Sequence, residues 1–322
     1  FICNIIINIY LYQYKYIFLI NLYYYFKTMD ITSNIKQLKE EGYTIINNVY
    51  NEYEIKEYWD EFNKWRNINY ELDYIHSLID YNGIYKHHQV GHQRFAWLAR
   101  TNPKIINIFK QLWNTDDLVC GFDGCCHYLP DAIDKPYYWI HTDQSSRKKG
   151  LHCYQSFLSL TNNSKRTIIL YKGSHLLHED YFTTMEIDEP SNWHVIKQDY
   201  LQQICEDKLE LNVKAGDLVI WDSRTFHQNT CGDSDCNEER LVQYLCYLPK
   251  YNKENTIKEQ NQRKKYFEKL RTTSHWPYPM NAIPEQPNIY NYYNSNFPIT
   301  IDYDSLVKPN LDDLNEEIKK LL

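Results

Sequence analysis

Tyr138-Trp139-Ile140-His141-Thr142-Asp143-Gln144 sets an imidazole and a carboxylate two residues apart. Side chains of extended backbone alternate faces, so His141 and Asp143 point the same way if this stretch is a strand. Two ligands on one face, joined by a third from elsewhere, make a 2-His-1-carboxylate facial triad. Such a triad holds iron(II) on one side and leaves the other side open. The motif is short and recurs by chance, so its weight depends on the rest of the chain.

A second stretch supplies the missing ligand. Residues 208–213 read as a strand, and Lys214-Ala-Gly-Asp217 as a tight turn in which Gly216 is free to take positive φ. Leu218-Val-Ile-Trp-Asp222 returns as an apolar strand and runs on to Ser223-Arg-Thr-Phe-His227. The polar run 228–239 is a loop, and 240–248 is another strand. This pattern predicts that His227 sits near one end of a hairpin whose partner strand begins at Arg240. The guanidinium would then lie several ångströms from the metal. Its planar fork suits the far carboxylate of a dicarboxylic co-substrate in a bidentate way that lysine cannot reproduce. The order His-x-Asp, long gap, His, short gap, Arg is far more specific than its pieces.

With these motifs in view, the chain resembles the phytanoyl-CoA dioxygenase-like family of Fe(II)/2-oxoglutarate-dependent oxygenases. The matching stretches include Glu41-Gly-Tyr-Thr-Ile-Ile-Asn-Asn-Val49, Asp123-Gly-Cys125, His141-Thr-Asp-Gln144 and Leu151-His-Cys-Tyr-Gln155. They continue through Gly173-Ser-His175, Gly216-Asp217, Trp221-Asp-Ser-Arg-Thr-Phe-His227 and Arg240, and span roughly residues 36–280. The resemblance implies a mainly β fold with flanking helices and a double-stranded β-helix (jelly-roll, cupin-like) core. It implies Fe(II) on His141, Asp143 and His227, 2-oxoglutarate anchored by Arg240, and O2 as the oxidant. Gln155 and Asn229 are further candidate donors to 2-oxoglutarate. Halogenases of this fold have a non-ligating residue at the carboxylate position, so Asp143 points to oxygenation. The chain departs from the family at Gln155-Ser156, where Gln-Gly is common, and at Ser164-Lys-Arg166, where Gly-Gly precedes the strand.

Composition bounds the alternatives. The 322 residues are 43% hydrophobic and 24% charged, as in an ordinary globular protein able to bury a sizeable core. A net charge of −7 argues against a nucleic-acid partner, which usually calls for a basic surplus. The 31 tyrosines accompany abundant Asn, Ile and Lys, the signature of AT-rich codons rather than of function. Nine cysteines without a Cys-x-x-Cys do not form a disulfide framework, so a reducing compartment such as the cytoplasm is expected. Cys231, Cys236 and His227 together suggest a zinc site, but no fourth ligand stands at a fitting spacing.

Three regions follow from the pattern. Residues 1–28 are apolar yet interrupted by Asn4, Asn8, Gln13, Lys15 and Asn21. They read as a leader preceding a start at Met29, the alternative being a membrane anchor. Residues 29–255 form the β-helix domain with its N-terminal helices. Ser33 is the candidate N-cap of the first helix, with Gly42 as its stop, and Pro103 opens a later one. Residues 256–322 are a helical and irregular extension packing on the core, including the proline-rich strap 272–287. The segment 179–207 has weak periodicity and no clear place, and no internal repeat is visible.

Several polar residues have structural readings. Arg224 pairs with Asp222 or another acid, and His175 and His178 fix loops. Trp221 belongs to the core or the pocket wall. Arg147-Lys148-Lys149 forms either a solvated loop or a positive lip that draws in an anionic substrate. The function so predicted is hydroxylation of a small organic or lipid-like substrate, with release of succinate and CO2. The alternatives are a non-catalytic β-helix that binds a ligand and a zinc-dependent cupin-like hydrolase.

Overall fold

The β-branched and apolar runs assemble into two antiparallel sheets. The computed structural model describes residues 30–69, 72, 76, 83–132, 138–287 and 300–322; the stretch 1–28, read as a leader, lies outside them. In chain order the first six strands are β1 (Tyr43–Ile46), β2 (Ile84–Tyr85), β3 (Leu118–Cys120), β4 (Cys125–Tyr128), β5 (His141–Thr142) and β6 (Tyr154–Ser159). Then come β7 (Ile168–Tyr171), β8 (His194–Val195), β9 (Lys208–Glu210), β10 (Leu218–Asp222), β11 (His227–Asn229) and β12 (Arg240–Pro249). The larger sheet runs β1-β10-β6-β12-β4-β2, with β3 also paired to β12, and the smaller runs β8-β5-β11-β7-β9. From β4 to β7, and again from β10 to β12, each strand lies in the other sheet from its predecessor. That alternation is the double-stranded β-helix the sequence predicts.

It also corrects the hairpin reading. β11 pairs with β5 and β7, whereas β12 pairs with β3, β4 and β6. His227 and Arg240 therefore belong to opposite sheets, joined by a loop that crosses between them. The turn at Gly216 is likewise a crossover: β9 pairs with β7, and β10 with β1 and β6. Gly216 takes φ +92°, as expected. A side chain there would run into the carbonyl of Tyr50.

Helices cover the larger sheet. They are α1 (Thr32–Glu41), α2 (Glu52–Ile68), α3 (Arg94–Arg100) and α4 (Pro103–Trp113). Asn51 forms a full capping box with Glu54, and Asn102 caps α4 with Pro103 in its first turn. α1 starts one residue before the predicted cap Ser33, where the Asp30 carboxylate accepts from the Thr32 N–H and hydroxyl. It stops at Gly42, φ +81°, as predicted. Tyr58, Phe62 and Trp65 of α2 and Phe95 of α3 bury against Leu158, Leu218, Leu241 and Tyr247 of the sheet.

The unplaced segment resolves into α5 (Ser174–Thr184), β8 and α6 (Gln198–Gln203). β8 adds an edge beside β5, with Val195 opposite His141. After α7 (Ile257–Glu268) the strap returns to the core, where Thr273 and Phe122 exchange hydrogen bonds. The buried Arg263 donates to Asn255 Oδ1 and the Pro277 carbonyl, at 2.7 and 3.2 Å. No helix of the described residues is long and apolar enough to cross a membrane.

Candidate metal centre

β5 and β11 are neighbours, and their register sets His141 directly opposite His227. The two imidazoles leave the same face of the smaller sheet, and Asp143 follows at the end of β5. Asp143 Oδ2 lies 3.4 Å from Nε2 of each histidine. All three residues are buried. The other ring nitrogens are already taken: His141 Nδ1–H donates to the Trp139 carbonyl at 3.0 Å and His227 Nδ1–H to the Thr225 carbonyl at 2.9 Å. These carbonyls fix the tautomers, so both Nε2 lone pairs face the carboxylate. Three acceptors converging on one point repel one another unless a cation sits between them. Cis ligands held roughly 2.1 Å from a divalent ion stand about 3 Å apart, close to the spacing found. Among the described residues this is the one group of three such side chains whose ligand atoms lie within 4.8 Å of each other.

The electrostatics agree. Burial pushes the Asp143 carboxyl up, but His141, His275 and His227 outweigh it and hold the group well below the usual carboxylate range. Burial, with His141 beside it, pushes His227 down toward the neutral form a ligand needs. The zinc reading at Cys231 and Cys236 is not supported, since His227 belongs to the other group.

The residues read as 2-oxoglutarate donors divide. Gln155, on β6 of the opposite sheet, donates from Nε2 to Asp143 Oδ2 at 2.8 Å, while its Oε1 has no partner. Here it orients the Asp143 carboxylate. Asn229 Nδ2 donates to the Tyr244 hydroxyl at 2.8 Å, and Asn229 Oδ1 accepts from Arg240 Nη2 at 3.3 Å. Arg240 is buried, with its guanidinium 5.2 Å from the Phe157 ring and Nη1 2.9 Å from Cys126 Sγ. It sits behind Asn229, which lines the cavity with Tyr244. Among the described residues no carboxylate pairs with Arg240. Glu238 turns to the backbone of 164–166 and Glu239 to His127.

The structural readings hold. Arg224 forms an ion pair with Asp222 at 2.7 Å, and Nε2 of His175 and His178 meet the carbonyls of Lys39 and Gln144. The Trp221 ring stands on the wall, 5.2 Å from His227. In the basic lip Arg147 pairs with Asp188 and Lys149 with Glu179, while Lys148 Nζ lies 3.8 Å from the Trp276 ring.

A cavity of about 670 Å³ opens in front of the triad, within the range of small-molecule sites. Its walls include residues that sequence reasoning missed: Asp123, Tyr244, Trp193 from the unplaced segment, and His275 and Trp276 from the strap. Trp139 stacks on the His141 ring at 4.7 Å, and Trp193 approaches it at 5.9 Å. Spacing could not have signalled Asp123, Trp193, His275 and Trp276, because each enters through a loop, whereas Tyr244 stands on β12.

No protein-family profile matches the chain. It is 29% identical over 266 residues to the Ava biosynthesis cluster protein O of Aspergillus versicolor, covering 75% of this chain and 85% of that one. It is 19% identical over 191 residues to a Dictyostelium discoideum protein named "Putative phytanoyl-CoA dioxygenase", covering 47% and 53%. A hypothetical protein of Escherichia coli, JW0805, superposes with a TM-score of 0.61 at 14% identity, over 90% of this chain and 81% of that structure. Fold, ligand set and relatives together bear out the resemblance to the non-haem-iron, 2-oxoglutarate-dependent oxygenases.

Proposed function

We propose that the chain is an Fe(II)/2-oxoglutarate-dependent dioxygenase that hydroxylates a small organic substrate and releases succinate and CO2. The observation that carries this reading is the convergence of His141 Nε2, Asp143 Oδ2 and His227 Nε2, with each imidazole nitrogen 3.4 Å from the shared carboxylate oxygen. Iron(II) bound there would supply O2 activation coupled to oxidative decarboxylation of the keto acid.

The chain's own residues do the rest. Gln155 holds the Asp143 carboxylate, and the Trp139 and Thr225 carbonyls hold the two rings, so the metal-facing atoms need no reorganisation. Arg240, Asn229 and Tyr244 form a linked group at one side of the cavity, and we assign it to the far carboxylate of 2-oxoglutarate. Arg240 supplies the fixed charge, and Asn229 and Tyr244 present it to the cavity wall. Trp139 and Trp193 shield the ligand ring and limit water at the reacting atoms.

A binding protein without chemistry has no use for a facial set of ligands with both tautomers fixed. The experiment is succinate release from 2-oxoglutarate with Fe(II) and O2. Wild-type protein should release succinate, and His141→Ala should not. A non-catalytic β-helix would bind the keto acid and release none. A zinc-dependent hydrolase would ignore both 2-oxoglutarate and O2.

A further inference from the structure

Beyond the triad and its supports, one acidic side chain faces the cavity with an oxygen to spare. Asp123 lies between β3 and β4, and its Oδ1 accepts from the Gly124 N–H at 2.7 Å. No other hydrogen bond to this carboxylate occurs among the described residues. The buried structural aspartates differ. Asp217 spends both oxygens on backbone N–H groups of Asn48 and Lys214, and Asp222 spends both on Arg224.

Asp123 is also held in place. Its carbonyl accepts from the buried Arg100 guanidinium at 2.5 Å. Gly124 packs so tightly that a side chain there would meet the Tyr85 carbonyl. These contacts fix the backbone that carries the carboxylate at the cavity wall. Lys86 lines the same wall but is itself engaged. Much of the remaining lining is aromatic: Trp139, Trp193, Trp221, Trp276 and Tyr244.

We infer that Asp123 anchors the prime substrate, and that this substrate is a small ring-bearing molecule carrying a cationic nitrogen. The inference rests on the cavity being the oxygenase active site. A partly buried carboxylate with one oxygen unpaired is favoured by a positive partner in the cavity. Burial pushes the Asp123 carboxyl up to about 6 despite the Gly124 N–H and the charges of Arg100 and Lys86. An ammonium meets the need with a charge-assisted hydrogen bond, and indole faces attract the same charge. An anionic substrate would face Asp123 and Asp143 together.

The test uses metal-free, keto-acid-free protein and three matched probes: benzylamine, benzyl alcohol and benzoate. Binding is followed by intrinsic tryptophan fluorescence. Benzylamine should bind tightest, by roughly tenfold over the alcohol, the margin of a charged over a neutral hydrogen bond. That preference should collapse in Asp123→Asn, whose Mn(II) affinity should stay that of wild type. The inference is overturned if benzylamine shows no saturable binding, if the alcohol or the acid binds as well, or if the preference survives in Asp123→Asn. The ranking in wild-type protein decides the matter even if the variant fails to fold. No metal or keto acid takes part, so failure here leaves succinate release untouched, and failure of succinate release leaves this ranking standing.

Discussion

Replacing Gln155 with Leu removes one hydrogen bond, the 2.8 Å contact from Nε2 to Asp143 Oδ2, and keeps a side chain of similar length between the sheets. A hydrogen bond to a charged group contributes about 1.5–3 kcal/mol, or roughly 10- to 100-fold in an equilibrium constant. Because the bond already exists in the metal-free protein, part of that energy appears as lower fold stability. The remainder appears in metal affinity, since an unheld carboxylate must be ordered when the ion binds. Partners of metal ligands commonly change affinity by about 10–100-fold, and Gln155→Leu should fall near the lower end. Mn(II) titration by calorimetry measures the first effect and denaturant unfolding the second, while the apparent KM for 2-oxoglutarate should change little. If Mn(II) affinity is unchanged and the KM for 2-oxoglutarate rises, Gln155 serves the co-substrate and the contact to Asp143 is incidental.

Arg240→Lys should raise the apparent KM for 2-oxoglutarate by about tenfold or more, because an ammonium cannot fork across a carboxylate; steady-state succinate kinetics would show it. Arg166→Leu should cost about 3 kcal/mol or more in urea unfolding, because the buried guanidinium donates to the carbonyls of Leu129, Ala132, Cys231, Cys236 and Glu238, which would lose their partner. Burial lowers His76 and His92 to about 3 and His88 to about 4, so the unfolded chain takes up these protons first. Stability should therefore be full above about pH 6.5 and fall toward pH 4 by about 1.4 kcal/mol per pH unit for each proton, with Asp123, raised to about 6, offsetting one of the three. Unfolding midpoints at several pH values check this, and His92→Gln should flatten the slope by one proton.

The His-Asp-His cluster was legible because strand alternation is local. His141 and Asp143 needed only an extended stretch to share a face, and His227 needed only the apolar run before it. The jelly-roll weave was less legible. Alternating hydrophobicity tells which residues point inward but not which sheet a strand joins, so residues 227–240 read as a hairpin although they connect opposite sheets. Gln155 illustrates the same limit. Alternation predicts its inward direction, but its contact with the Asp143 carboxylate depends on how far the facing sheet stands away. The wall residues were the least visible. Trp193, His275 and Trp276 arrive on segments held by tertiary contacts, such as Arg263 on the Pro277 carbonyl, that leave no periodic trace. Arg166 also left no trace in the pattern. Its guanidinium ties the crossing loop 231–238 to the residues that follow β4.

Anaerobic addition of Fe(II) and then 2-oxoglutarate to the purified protein, followed by visible absorption, examines the convergence of the triad and the keto-acid pocket in a single titration. A charge-transfer band that needs both additions, saturates at one equivalent of metal and vanishes in His227→Ala is the predicted result. A spectrum that stays featureless with wild-type protein, or a band that persists without His227, would contradict the assignment of this site.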